Sequence, residues 1–124
     1  MKYTACVIPG RGEGRKLGFP TLNLEIPDGL AAKQGVYAGW VWLTRDGDKR
    51  QPAAFHYGPT PAFGIEKFSL EAHVIDQEIP SPPPELSFEL VKYLRPVLDF
   101  EALEGLAAQI REDVRQAREA LRIV

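Results

Sequence analysis

The stretch from residue 10 to residue 18 combines backbone freedom with positive charge. Its glycines and cations are Gly10, Gly12, Gly14, Gly18, Arg11, Arg15 and Lys16. Glycines let the backbone approach a ligand closely, and successive N–H groups in such a loop can cradle phosphate oxygens. The stretch has neither the Gly-Lys-Ser/Thr ending of a P-loop nor the glycine spacing of a dinucleotide-binding turn. From the glycines alone, a basic surface turn is the favoured interpretation.

The segment "FPTLNL" that follows brings oxygen donors next to this loop. Pro20 fixes the chain before Thr21, whose hydroxyl is a hard oxygen ligand of the kind that Mg²⁺ accepts. Asn23 lies two residues further on, so both side chains point the same way if the segment is extended. Together they could hold a metal-bound phosphate. A threonine and an asparagine that merely solvate a strand edge fit the pattern about as well.

A carboxylate stands in a third polar segment, "SLEAHVI". Strand alternation places Ser69, Glu71 and His73 on one face and apolar residues on the other. A carboxylate can act as a general base, but a lone one on such a face is usually just solvated. His73 fits a supporting role better than that of a metal ligand.

The elements that must position these residues are mostly strands. Up to about residue 95, short β-branched or aromatic segments alternate with Gly, Pro and Asp. They predict strands over residues 3–8, 22–26, 35–44, 51–57, 68–76 and 86–95. Five or six strands with no helix between them indicate an antiparallel barrel or sandwich.

The C-terminal segment has helical periodicity instead. Apolar residues recur every three or four positions at Leu103, Leu106, Ile110, Val114, Ala117 and Leu121. This spacing predicts an amphipathic helix over residues 99–124 that packs against the strands of residues 1–98. The whole chain, 1–124, is therefore expected to form a single domain.

Composition narrows the classes of protein that remain. The 124 residues are 44% hydrophobic and 26% charged, which is typical of a soluble globular domain. One cysteine excludes an internal disulfide framework, and a net charge of -2 argues against a general nucleic-acid binder. The sequence shows neither an apolar run of membrane-spanning length nor a signal peptide. We expect a monomeric cytoplasmic protein that associates with neither nucleic acid nor a membrane.

The motif "GRKLGFPTLNL" resembles the signature of riboflavin kinases, Gly-Arg-x-Leu-Gly-Phe-Pro-Thr-Ala-Asn. The segments "QGVYAGWV", "LEAHVID" and "YLRP" resemble later strands of the same family in the same order. The similarity covers essentially the whole chain. It implies a six-stranded antiparallel Greek-key barrel with a C-terminal helix. It also implies transfer of the γ-phosphate of ATP to the 5′-hydroxyl of riboflavin, giving FMN and ADP.

The resemblance also implies roles for individual residues. The loop from Gly10 to Gly18 and the adjoining Pro20 would bind the nucleotide, with the loop closing over its phosphates. Thr21 and Asn23 would bind Mg²⁺ and phosphate oxygens. Glu71 would be the general base that accepts the hydroxyl proton.

Departures from the family pattern fall on the flavin side. His56 stands where the family usually has asparagine, Ala62 stands in place of threonine, and the proline run from Pro80 to Pro84 replaces a Leu-Tyr-Gly segment. A non-catalytic relative that binds a flavin or a nucleotide is therefore the alternative. A barrel that binds single-stranded nucleic acid is a weaker third class, since the acidic balance opposes it.

Overall fold

A computed structural model describes residues 1–9, 18–43, 49–61, 64–98 and 103–122. Its strands and helix are β1 (Lys2–Ile8), β2 (Leu22–Leu24), β3 (Gly35–Trp42), β4 (Gln51–Thr60), β5 (Ile65–Val74), β6 (Glu85–Arg95) and α1 (Leu103–Leu121). In the order β1-β2-β5-β4-β3-β6, antiparallel pairing joins these strands into a closed barrel. The expected fold, a six-stranded antiparallel barrel with a C-terminal helix, is confirmed.

Several strand boundaries differ from the sequence prediction. Strand β3 ends at Trp42 rather than at residue 44, and β4 continues to Thr60 rather than ending at residue 57. Strand β2 ends at Leu24 rather than at residue 26, just before a turn in which Leu30 N–H donates to the Pro27 carbonyl at 3.3 Å. Strand β5 ends at Val74 because Asp76 adopts a positive φ of 61°, which no strand accommodates. It also begins earlier than expected, at Ile65.

Alternate residues of all six strands fill the barrel. Phe55 and Phe88 lie at its centre with ring centroids 5.6 Å apart, and Leu24 and Leu70 are also almost fully buried. Leu22, Leu70, Ala72 and Leu24 belong to the same core cluster. Because strand side chains alternate, the residues between them, including Asn23 and Glu71, are directed to the outer face of the barrel.

Helix α1 covers part of that outer face. Ala38 of β3 and Ala54 of β4 form a second cluster with Ala117 and Leu121 of the helix. Strand β3 is therefore apolar on both faces because one face lines the barrel and the other lies under the helix. Within the described residues, the helix lacks the length of apolar sequence that a membrane crossing requires.

A buried ion pair fixes the helix to the end of β6. Arg95 donates from Nε and Nη2 to the two carboxylate oxygens of Asp113, both at 2.7 Å, and Gln109 donates to the same carboxylate at 3.1 Å. Asp113 is 3% exposed. Asp113 lies seven residues after Leu106, on the same helix face as the apolar stripe. Because it is not apolar, the periodicity of apolar residues did not identify it as buried. A bidentate pair of this kind sets both the distance and the orientation of the helix.

The helix also carries an exposed ion pair between Glu112 and Arg115. The hydrogen bond from Arg115 lowers the pKa of Glu112 to about 2. The contribution of this ion pair to stability is therefore fully present when the pH is above the ordinary pKa of a carboxyl group, and it is lost as the pH falls toward 2. Solvent screens this pair, so it contributes much less than the buried one.

We expect Asp113→Asn to lower the free energy of unfolding by about 3 kcal/mol, because it leaves the Arg95 guanidinium buried without a countercharge. Urea unfolding followed by circular dichroism measures this change. Glu112→Gln is the matched control on the same helix, and it should barely move the midpoint at neutral pH. Equal effects of the two substitutions would contradict the role assigned to the Arg95–Asp113 pair.

Candidate functional site

Three strands place polar side chains side by side on the outer face of the barrel. Asn23 of β2 pairs with Glu71 of β5, and Glu71 in turn pairs with His56 of β4. Directly opposed residues in a sheet lie with their Cβ atoms about 5 Å apart and on the same face. The amide, the carboxylate and the imidazole therefore form one row across β2, β5 and β4, with Glu71 at its centre.

Hydroxyl groups hold both oxygens of the Glu71 carboxylate. Thr21 Oγ1 donates to Oε1 at 3.3 Å, and Ser69 Oγ lies 3.3 Å from Oε2. The Ser69 hydroxyl is also 3.5 Å from the Gly58 carbonyl, but it has one proton to donate. The carboxylate is the nearer acceptor and carries charge, so it is the stronger partner. These contacts orient the carboxylate and leave further lone pairs of both oxygens open to a substrate.

The Gly58 carbonyl links this row to His56. The Nε2–H of His56 donates to it at 3.2 Å, and Thr60 Oγ1 lies 3.5 Å from the same nitrogen. Gly58 has a φ of 134°, and a Cβ there would come within 3.2 Å of both Gln34 and Val97. The register of β4 and β5 shifts just after it. Glycine at this position thus lets the strand bend while its carbonyl receives a hydrogen bond from the His56 side chain.

The chain enters the site from Gly18 through Pro20. Gly18 has a φ of 87°, a conformation that favours glycine, and it is exposed. The β2–β5 ladder begins at the pair Leu22–Ala72. Pro20 has no N–H to extend this ladder, so Thr21 lies just outside the strand, where its hydroxyl reaches Glu71.

The structure brings together part of the predicted site. Thr21, Asn23 and Glu71 are neighbours, and Gly18 and Pro20 lead into them. Gly10, Gly12, Gly14, Arg15 and Lys16 lie outside the described residues, as does Ala62. The proline run, Pro80 to Pro84, is largely exposed, and the Pro84 carbonyl accepts from Val7 N–H at 2.9 Å.

Sequence reasoning gave no role to Ser69, although it placed this residue on the face of Glu71. The i, i+2 spacing of a hydroxyl and a carboxylate was the available signal. It is weak by itself because such pairs are common on solvated strands. The face is also less exposed than expected, since Ser69 and Glu71 are half-buried and His73 is buried.

Comparison with known proteins gives a family for this fold and site. The family model for riboflavin kinase (flavokinase) matches residues 1–121. Riboflavin kinase from Mus musculus is 34% identical over 127 residues, which cover 93% of this chain and 77% of the mouse protein. The bifunctional riboflavin kinase/FMN phosphatase of Arabidopsis thaliana is 35% identical over 121 residues, 93% of this chain and 31% of the plant protein.

The chain belongs to the riboflavin kinase family. It spans most of the length of the mouse relative but less than a third of the bifunctional plant relative. A crystal structure described as a macrolide-efflux protein from Streptococcus pneumoniae superposes with a TM-score of 0.79. The superposition covers 94% of this chain and 38% of the Streptococcus pneumoniae chain, with 23% sequence identity. This structural similarity supports the barrel fold alone.

Removing the Ser69 hydroxyl should loosen Glu71. We expect Ser69→Ala to lower the turnover of the family reaction by about tenfold, since a carboxylate that loses one of two orienting donors samples unproductive positions. Steady-state kinetics measures this loss. Ser87→Ala is the matched control, because Ser87 makes a similar hydroxyl contact to Thr4 at 3.1 Å between β1 and β6. A Ser69→Ala protein as active as Ser87→Ala would remove Ser69 from the site.

Proposed function

We propose that this protein is a riboflavin kinase that transfers the γ-phosphate of ATP to the 5′-hydroxyl of riboflavin, forming FMN and ADP. The observation that supports this most is the position of Glu71, oriented by Thr21 and Ser69 and beside Asn23, in a chain of the riboflavin kinase family. A carboxylate fixed by donors to both oxygens suits proton abstraction from a positioned alcohol.

Glu71 would act as the general base. It accepts the proton of the riboflavin 5′-hydroxyl, whose oxygen forms a bond to the γ-phosphorus of ATP. The bond from that phosphorus to the β,γ-bridging oxygen breaks, and ADP leaves. Such transfers depend mainly on positioning and on neutralisation of charge. The hydrogen bonds from Thr21 and Ser69 therefore matter because they keep the accepting oxygens in place.

Thr21 and Asn23 are the residues that would hold a divalent metal, for which Mg²⁺ is our proposal. Their hydroxyl and amide oxygens are hard donors, and both lie next to Glu71. The Thr21 proton is directed to Glu71, so the lone pairs of its oxygen remain available. When bound, the metal would neutralise phosphate charge. No group of three His, Cys, Asp or Glu side chains in the described ranges is arranged to hold a metal, so phosphate oxygens would supply further ligands.

The glycine-rich stretch from Gly10 to Gly18 would enclose the nucleotide phosphates, with Arg15 and Lys16 adding positive charge. Its described end, Gly18, leads through Pro20 directly to Thr21. The acceptor, riboflavin, would approach Glu71 on the outer face of the barrel. His56 forms the β4 end of the polar row and lies directly opposite Glu71 in the β4–β5 ladder.

The direct test is chromatographic. Purified protein, riboflavin and Mg·ATP should yield FMN and ADP in equal amounts. Flavin binding without either product would instead support the non-catalytic alternative, and ADP without FMN would indicate another acceptor. Omitting riboflavin is the control for ATP hydrolysis by itself.

Glu71→Gln should keep the size of the side chain and lose its capacity to accept a proton. We expect turnover to fall by about 100-fold or more while the affinity for Mg·ADP stays close to that of the unchanged protein. Kinetics and calorimetric titration measure the two quantities on the same preparation. Turnover that survives this substitution would exclude Glu71 as the base.

Thr21→Val keeps the shape of Thr21 but removes its oxygen. We expect the Mg²⁺ concentration for half-maximal activity to rise by ~10-fold, by analogy with the loss of other groups that support a metal site. Thr21→Ser retains the hydroxyl and should stay near the unchanged protein. A metal titration curve that is the same for Thr21→Val and Thr21→Ser would contradict the assignment.

A further inference from the structure

His73 is a buried polar residue to which the proposed reaction gives no part. It is 9% exposed, and it lies two residues beyond Glu71 on β5. Its Nδ1 is 2.7 Å from the carbonyl oxygen of Pro20. A carbonyl only accepts, so Nδ1 carries the proton and donates it. The ring of Phe19 meets the imidazole edge-on, with centroids 5.6 Å apart.

The hydrogen bond between His73 and Pro20 holds a segment that lies beyond the end of the β2–β5 ladder. The pairing of β2 with β5 stops at Leu22–Ala72, so neither Thr21 nor Pro20 is held by strand hydrogen bonds to β5. The side chain of His73 reaches past this end and takes the Pro20 carbonyl instead. The peptide group that contains this carbonyl also contains the nitrogen of Thr21, so fixing one oxygen fixes the start of Thr21.

The surroundings of His73 suit such a role. Its partner on β4 is Ala54, a small residue directly opposite it on the outer face. Phe19 and Pro20, each half-buried, lie against it and restrict its exposure to solvent. A short hydrogen bond in a place shielded from water is stronger than one at an open surface.

We propose that His73 is a positioning residue, whose Nδ1–H holds the Pro20 carbonyl and thereby keeps the Thr21 hydroxyl against Glu71. This inference rests on the proposed function for its consequence in turnover. Its structural part, the anchoring of the segment from Gly18 to Thr21, can be measured separately.

The test compares His73→Asn with His73→Leu. The Asn amide nitrogen lies the same number of bonds from Cβ as Nδ1 and can still donate, whereas Leu has the same branching and no donor. His73→Asn should keep kcat/KM for Mg·ATP within about threefold of the unchanged protein, and His73→Leu should lose about tenfold or more. The KM for riboflavin should change by less than about twofold in either variant, since the proposed function assigns the anchored segment to the nucleotide and not to the flavin.

Hydrogen exchange provides the readout that does not depend on activity. The peptide containing Gly18, Phe19 and Thr21 should exchange faster in His73→Leu than in His73→Asn, while peptides from β3 and β6 match. Thermal unfolding checks that both variants are folded. Should His73→Leu not fold, His73→Gln, which displaces the donor by one methylene, takes its place in the comparison.

Equal exchange and equal kinetics in the Asn and Leu variants would overturn the proposal. A folded His73→Asn protein as defective as His73→Leu would overturn it too, because the donor would then be irrelevant. An unchanged protein that forms no FMN would refute the proposed kinase activity, and the exchange comparison would still decide whether His73 anchors Thr21.

Discussion

The candidate site depends on the register of β2 against β5. Strand β2 has three residues. Its ladder with β5 places Asn23 opposite Glu71, while Leu22 and Leu24 enter the core. A shift by one residue would turn Asn23 inward and both leucines outward, which the packed interior forbids. The buried leucines thus fix the polar row on the outer face. The geometry of the candidate site is therefore a consequence of hydrophobic packing on the opposite side of the same strand.

The outer face of the barrel has one part that the helix covers and another that carries polar side chains. Over β3 and β4 the helix buries Ala38 and Ala54, and the Arg95–Asp113 pair sets its position. Over β2 and β5 the outer face carries polar side chains instead, among them the hydroxyls of Thr21 and Ser69 and the buried imidazole of His73. A closed barrel has no free strand edge, so its ligand contacts must come from side chains and from segments that leave the ladder. The segment from Gly18 to Thr21 is such a departure.

Much of this architecture could be predicted from local sequence patterns. Strand periodicity, helix periodicity and the "FPTLNL" motif lie in continuous stretches, so they predict the elements and point to Thr21 and Asn23. Glu71 became a candidate only through the resemblance to the riboflavin kinase family. The predicted ends of β2 and β5 were wrong because turn geometry at Pro27 and Asp76 outweighs the local preference of the residues for strand. Asp113 was missed because a carboxylate on an apolar stripe is expected to be unfavourable unless its partner, here Arg95 on another element, is known.

By itself, the sequence determined the family resemblance, the class of fold and which side chains could carry chemistry, since these follow from residue type and spacing along the chain. Only the tertiary structure decided that Ser69 contacts Glu71, that His56 shares its row and that His73 holds the Pro20 carbonyl. Those relations join strands whose register and twist are set by packing of the whole barrel. A hydrogen bond between residues 53 positions apart has no local signature, because closure of the barrel creates the proximity.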